Sequence, residues 1–324
     1  LILIYLTLKM EHGTIPDRLF FSLFHSVSSF CNAGFSTLQN SLYESGYRYN
    51  YPLHLIIALL FILGGIGFPI IFNFSRYLKY KLFNLWLLIT KRQKELRHHP
   101  WIININTRIV VVSTILLLAI GTLVFFLSEF DNSLAEHNGF GKLVTAFFSA
   151  ATPRTAGFNS VDFSSLHFST IMLIFLLMWI GASPGSTGGG IKTSTFVILL
   201  LNLISLARGK GRIEIYRREI SNLSIRRAFA IVTASVFVIG TSIFMISWFD
   251  AQQDLLHIAF ECFSAYSTVG LSLGITSQLS HASQLVIIFT MFIGRVGMLT
   301  LLIAVVRKMK DQQYRYPTEE ILIN

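Results

Sequence analysis

The sequence predicts an all-α polytopic membrane protein assembled from repeated units of span, short helix, glycine cassette and span. Composition is the first reason: 53% of residues are hydrophobic, 13% are charged and the mean hydropathy is +0.61, whereas soluble domains carry about 25% charge. The second is a recurring glycine cassette. It occurs as Asn32-Ala33-Gly34-Phe35-Ser36, Thr155-Ala156-Gly157-Phe158-Asn159 and Thr268-Val269-Gly270-Leu271-Ser272, with central glycines 123 and 113 residues apart. The third is order, since a short apolar run precedes each cassette and a long one follows it.

Taken from the start, residues 1–8 are apolar but too few for a bilayer core that needs about 20 residues. They also lack the basic start and small-residue cleavage site of a signal peptide, so the chain reads as N-terminally truncated inside a transmembrane helix. A short apolar segment over Arg18–Cys31 leads to the first cassette, and a span runs from Leu53 to about Phe74. The second unit has a span near Ile109–Leu127, a short segment Phe140–Ala151, its cassette, and an apolar stretch from near Leu166. The third has a span near Ala228–Phe249, a short segment Leu255–Ala265, its cassette, and a span near Leu285–Val306.

The short segments show helical spacing, as in Phe20, Phe24, Val27 and Phe30 or Leu256, Ala259, Phe260 and Phe263, yet cannot cross a bilayer. They fit helices that enter halfway, followed by backbone that is tolerated at that depth only when it is buried in protein or faces water. A helix ending at the cassette brings roughly half a negative elementary charge there, which favours a cation. Glycine permits the backbone to turn successive carbonyls toward one axis, as cation filters require. Close helix packing is another use of membrane glycines, but it does not demand one cassette per unit after a short helix.

Charge sets the orientation. Of 26 Lys and Arg residues, 8 lie in Arg76–Arg108, 7 in Arg208–Arg227 and 4 in Arg307–Arg315. The positive-inside rule places these segments in the cytoplasm, so the short helices and cassettes enter from outside. The +10 net charge flanks spans without a folded basic domain, which argues for lipid contact and against nucleic-acid binding.

Within the second unit, Ser183-Pro184-Gly185-Ser186-Thr187-Gly188-Gly189-Gly190-Ile191-Lys192-Thr193 interrupts the second span with helix-weakening residues, predicting a broken helix. It is not a phosphate-binding loop of the G-x-x-x-x-G-K-[ST] type, because Ile191 separates Gly190 from Lys192 and no strand precedes it. Broken membrane helices mark places where the backbone faces a cavity and conformation can change.

These segments, together with Cys31–Ser36, Thr152–Asn159 and Ser267–Leu271, resemble the Ktr/Trk/HKT superfamily of cation transporters, and most closely the membrane subunit of bacterial Ktr-type potassium uptake systems. The resemblance implies four span–pore helix–span repeats around a pseudo-fourfold pore, of which three are present. Residues 1–80 are then a second repeat with a truncated first span, 81–105 a cytoplasmic basic linker, and 106–207 a third repeat with a broken second span. Residues 208–226 form another cytoplasmic basic linker, 227–310 the fourth repeat and 311–324 a cytoplasmic tail.

By the same resemblance the selectivity filter comprises Asn32, Ala33, Gly34 and Phe35, Thr155, Ala156, Gly157 and Phe158, and Thr268, Val269, Gly270 and Leu271. The gate loop comprises Gly185, Ser186, Thr187, Gly188, Gly189, Gly190 and Lys192. Arg295, far from either end of its span, should face a cavity or a buried partner, because an ionised Arg at mid-membrane costs about 2.5–3.5 kcal/mol on insertion scales. The resemblance makes it an electrostatic barrier below the filter, with bonds to the loop carbonyls; a fixed helix-to-helix tie is the alternative.

The family implies potassium uptake at the plasma membrane by a multi-pass homodimer that docks a ring of nucleotide-binding regulatory subunits. ATP or ADP is expected on that partner only, with no cofactor or resident metal in this chain and sodium dependence in some systems. Glu261 adds negative potential at the outer mouth or bonds behind the filter, and Arg154 is expected to bind loop carbonyls. Cys31 and Cys262 read as small packing residues, and the scattered His residues form no ligand pattern. The competing class is a membrane-embedded enzyme using Gly185–Lys192 on a phosphorylated substrate, which lacks a clustered acid, base or metal set.

Overall fold

The computed structural model describes residues 1–8, 13–90 and 104–297. These form a mostly helical array: α1 (Ile2–Thr7), α2 (Ile15–Phe30), α3 (Tyr51–Ile66), α4 (Phe68–Ile89), α5 (Ile105–Ser128), α6 (Gly139–Ala151), α7 (Phe168–Trp179), α8 (Thr193–Ala207), α9 (Asn222–Phe249), α10 (Leu255–Ser267) and α11 (His281–Val296). A two-stranded antiparallel hairpin, β1 (Glu214–Ile215) and β2 (Arg218–Glu219), lies between α8 and α9. The tail 311–324, the end of the last span beyond 297, and His98-His99 lie outside the described residues.

Local chemistry sets the helix starts. Thr14 and Asp17 form a reciprocal capping box at α2, where Pro16 fits the first turn. Asn50, Asn138, Ser221 and Ser280 cap α3, α6, α9 and α11 through their side-chain oxygens. By length and composition α5 and α9 can each cross a membrane, and α3 with α4 forms a third candidate if the bent pair is one span.

The span expected from Leu53 to Phe74 is not straight. α3 stops at Gly67, whose φ of 87° suits glycine, and α4 departs at 103°. That helix also continues to Ile89, through the start of the segment expected to be a basic linker from residue 81. α11 ends the same way, at Gly297 with φ 87°. The break predicted only for the α7–α8 span therefore has a counterpart in the first unit, placed where Gly67 at positive φ stops the helix.

Burial of α2 is inverted relative to a soluble helix, whereas α6 and α10 also bury Val144, Phe148, Ile258 and Phe260. In α2 the buried residues are Phe21, Ser22, His25, Ser28 and Ser29, while Phe20, Leu23, Val27 and Phe30 are exposed. Apolar side chains can face an apolar surrounding at no cost, so small and hydroxylated residues take the interior, where close approach and hydrogen bonds matter more.

The apolar clusters cross unit boundaries. Ala156 and Phe158 of the second cassette pack with Phe21, Leu53, Ile57 and Phe61 of the first unit. Val269 and Leu271 of the third cassette pack with Phe125, Phe163 and Ile174 of the second. Each of these cassettes is thus wedged into the core of the preceding unit. Phe35, at the corresponding place in the first cassette, is 71% exposed.

Acidic residues at the ends of the long helices α5 and α9 cap the later helices of their own units. Buried Glu129 accepts from the His167 N–H at 3.0 Å, the Thr170 hydroxyl at 2.6 Å and the Asn132 amide at 2.8 Å, capping α7. Asp250 does the same for α11, accepting from the Ser280 N–H at 3.1 Å and its hydroxyl at 3.0 Å. Glu129→Ala leaves the buried Thr170 hydroxyl and the His167 N–H without their acceptor, so thermal unfolding in detergent should show a loss of about 1–3 kcal/mol, and Glu129→Gln a smaller one. An unchanged midpoint for Glu129→Ala would remove this cap from the stability argument.

Candidate functional site

The three cassettes adopt one backbone pattern. Their first residues Asn32, Thr155 and Thr268 have φ of 52°, 71° and 52°, and their glycines Gly34, Gly157 and Gly270 have φ of 72°, 78° and 89°. The intervening Ala33, Ala156 and Val269 keep negative φ. Alternating sign in φ turns successive peptide planes the same way, with N–H groups on one side and carbonyls on the other. A non-glycine residue at positive φ is strained, and three at equivalent places mark a conformation imposed by surroundings.

The N–H side points back at the short helices. Ala33 N–H donates to Ser28 O at 2.9 Å, Ala156 N–H to Thr152 O at 3.0 Å and Val269 N–H to Ser264 O at 2.9 Å. The Gly270 N–H donates to the Ser264 hydroxyl at 3.1 Å. On the other side, the carbonyls of the first three residues in each cassette receive no hydrogen bond among the described residues. The cassettes also converge. An added Cβ on Gly34 would lie 2.8 Å from Ala156 O, and one on Gly157 would strike Val269 O while standing 3.4 Å from Gly34 Cα.

A clamp at constant spacing fixes the last residue of the first and third cassettes and the residue just after the second. His25 Nε2 meets the Ser36 hydroxyl at 3.0 Å, the Ser149 and Ser160 hydroxyls lie 3.3 Å apart, and the Ser272 hydroxyl donates to Glu261, each pair eleven residues apart. Glu261 also accepts from Thr276 at 2.7 Å and is 6% exposed, so it bonds behind the cassette. Ser28 and Thr152 hydroxyls each donate at 2.7 Å to the carbonyl after the glycine, of Phe35 and Phe158. Sequence reading overlooked these clamps, although counting back seven residues from Asn32 and from Thr268 would have aligned His25 with Glu261; the middle pair lies one residue further along its cassette.

The segment between α7 and α8 folds as a closed loop, its ends joined by a parallel bridge between Ile180 and Ile191. It lies against the first residues of the cassettes. The Gly189 N–H donates to the Thr268 hydroxyl at 3.0 Å, and an added Cβ on Gly189 would come within 2.9 Å of Thr268 Cγ2. Gly185 and Gly190 have φ of 73° and 68°, and the Ser186 hydroxyl donates to Ser183 O at 2.5 Å. Lys192, at the start of α8, donates its ammonium to Gly188 O at 2.5 Å. The Arg295 guanidinium, in the last turn of α11, donates to Thr187 O.

Ser183 carries a connection that sequence reading did not isolate. Its N–H donates to Gly65 O at 3.0 Å and its hydroxyl donates to Gly65 O at 2.7 Å and to Ile66 O. These are orphan carbonyls at the end of α3, so the loop caps the bend at Gly67. Arg154 departs from expectation. It makes no side-chain hydrogen bond among the described residues and lines a small cavity with Phe61, Gly65, Thr114 and Ala182. Cys262 is buried in α10, whereas Cys31 is exposed at the end of α2 instead of packed.

Comparison with known proteins gives one consistent answer. The profile of the TrkH family, described as cation transport protein, matches residues 1–315. Ktr system potassium uptake protein B of Bacillus subtilis is 38% identical over 305 residues, covering 94% of this chain and 63% of that protein. Potassium/sodium uptake protein NtpJ of Enterococcus hirae is 34% identical over 311 residues, covering 94% and 64%. The crystal structure of the potassium transporter TrkH from Vibrio parahaemolyticus matches with a TM-score of 0.67 at 20% identity, covering 89% of this chain and 58% of that one. The chain therefore spans somewhat under two thirds of the length of these relatives.

Ser183→Ala removes the hydroxyl that holds two carbonyls. Hydrogen–deuterium exchange over residues 183–190 should quicken about tenfold, the effect of losing about 1–1.5 kcal/mol of hydrogen bonding. Unaltered exchange there would show that the backbone bond to Gly65 suffices alone.

Proposed function

Because the chain belongs to the TrkH family of cation transport proteins, we propose that it supplies three quarters of a potassium-conducting pore in a multi-pass plasma-membrane protein, with a preceding repeat supplying the fourth. The observation that carries this reading is the set of cassette carbonyls left without donors, in a backbone whose Ala33, Ala156 and Val269 N–H groups are bonded back to the short helices. Such carbonyls can replace the hydration shell of a monovalent cation. The C-terminal ends of α2, α6 and α10 each bring roughly half a negative charge to the same place.

No carboxylate is needed in the cassettes, and none is present. Neutral dipoles suit an ion that must leave as readily as it enters. Potassium and sodium both occur in the names of the relatives, and potassium is common to the three reported above.

The Gly185–Lys192 loop is the gate. It touches the first residues of two cassettes, Thr155 and Thr268, and its carbonyls hold two cations, its own Lys192 and Arg295 of α11. Those two charges in the exit path oppose a cation's passage, and their bonds keep the loop closed. Arg295 acts as barrier and latch together. The enzyme alternative gains nothing here, since Lys192 is bonded within its own loop. By family resemblance the assembled protein is a homodimer whose cytoplasmic face docks a nucleotide-binding ring, sensitive to ATP and ADP, with sodium a further requirement in some systems.

The test is growth of a potassium-uptake-deficient bacterium at low potassium with the full-length protein, with and without sodium. Restored growth is expected, and failure of a well-expressed protein would defeat the reading. Gly157→Ala, which drives a Cβ into Val269 O and adds about 1–2 kcal/mol of left-handed strain, should abolish both uptake and the stabilisation of the purified protein by added potassium. Removing Gly185–Gly190 should raise flux. Arg295→Gln loses one charge-assisted bond of about 1.5 kcal/mol, so the open fraction, and flux per folded protein, should rise about tenfold. Lower stability with unchanged flux would make Arg295 a tie and nothing more.

A further inference from the structure

We propose that the cleft between the α8–α9 connection and the first turn of α9 binds a phosphate group, presented by an anionic phospholipid headgroup at the cytoplasmic surface. The cleft is a cavity of about 330 Å³ lined by Asn202, Lys210, Arg212, Asn222, Ile225 and Arg226, among others. Three cations and two side-chain amides around one cavity match the several oxygens of a phosphate.

The arrangement is built in advance. The Ser205 hydroxyl is within bonding distance of Lys210 O at 3.2 Å and Arg212 O at 2.9 Å, and donates to them, while Lys210 N–H returns to Ser205 O at 2.9 Å. This folds residues 208–212 into a fixed turn and holds two cations at the rim. Arg226 stands on α9 just after its start, and α9 is 28 residues long, so its positive end adds to the same field. Arg212 shares Glu219 at 3.7 Å, but both side chains are largely exposed and the pair is loose. Lys210 and Arg226 have no side-chain hydrogen bond or ion pair among the described residues.

The rim gives the source of the phosphate. Leu203 and Leu206 of α8, 64% and 65% exposed, lead away from the cleft along the helix. A headgroup held by the cations would lay an acyl chain on that strip. A free phosphate, or an acidic peptide, has no use for it. Basic segments at this end of the spans place the cleft at the inner leaflet, where anionic lipids contribute about 1 kcal/mol per nearby Lys or Arg.

The experiment uses the full-length protein in nanodiscs of phosphatidylcholine doped with phosphatidylglycerol, with retained lipid counted by native mass spectrometry. Lys210→Gln combined with Arg226→Gln should lower phosphatidylglycerol retention about thirtyfold, two residues at that value, while elution and thermal midpoint stay those of the wild type. Arg227→Gln, outside the lining, should retain lipid normally. Retention that resists excess inorganic phosphate supports the lipid source. Phosphate stabilising lipid-free protein through the same two residues, with no lipid retained, moves the site to soluble phosphate and overturns the lipid assignment. Equal retention by wild type and double variant, or an equal loss in Arg227→Gln, overturns the proposal.

Discussion

The centre of this molecule depends on a backbone that alternates in handedness at three separate places and cannot hold itself there. A Thr or Asn at positive φ is strained, and a row of carbonyls without donors is costly when buried. What opposes both costs is outside the cassettes. Short helices capture the Ala33, Ala156 and Val269 N–H groups, a hydroxyl reels in the carbonyl after each of the first two glycines, and a clamp eleven residues back fixes the chain at or just after the far end. Wedging Phe158, Val269 and Leu271 into the preceding unit then prevents relaxation toward the axis. The carbonyl row persists because the surroundings determine it several times over.

The loop between α7 and α8 draws on the same centre. It is bonded to the third cassette through Thr268, to the bend of α3 through Ser183, and to α11 through Arg295. Three units therefore meet at one segment of weak helix propensity. A shift of α4 about Gly67 would reach the loop through one side chain, Ser183, which gives a physical route from α4 to the cassettes.

Interior polarity follows from the same logic. His25, Ser149 and Glu261 take buried places in α2, α6 and α10, each with a hydroxyl partner at or just beyond the end of a cassette. Large apolar residues face outward along α2 and at the starts of α6 and α10, at Phe140, Leu143 and Leu255. In α2 a helix judged by its apolar stripe points the wrong way, since Phe20, Val27 and Phe30 are exposed and the hydroxyl face builds the site, whereas the stripe of α10 at Leu256, Phe260 and Phe263 packs into the core.

Much was legible in the sequence: the helical class, the three cassettes, the weak segment Gly185–Gly190 and the odd position of Arg295 all follow from hydropathy, glycine and charge, which act locally. The bend at Gly67 was not, because an apolar run continues through it and periodicity cannot see one residue at positive φ. Nor could spacing alone show that Ser183 holds the end of α3, that Arg154 finds no hydrogen-bond partner among the described residues, or that Lys210, Arg212 and Arg226 share a cleft. Those facts pair residues far apart in the chain or depend on how a turn closes. Local propensity and polarity determined which segments could form helices and turns; only tertiary packing decided which carbonyls would go without donors, because that depends on what every neighbouring segment takes first.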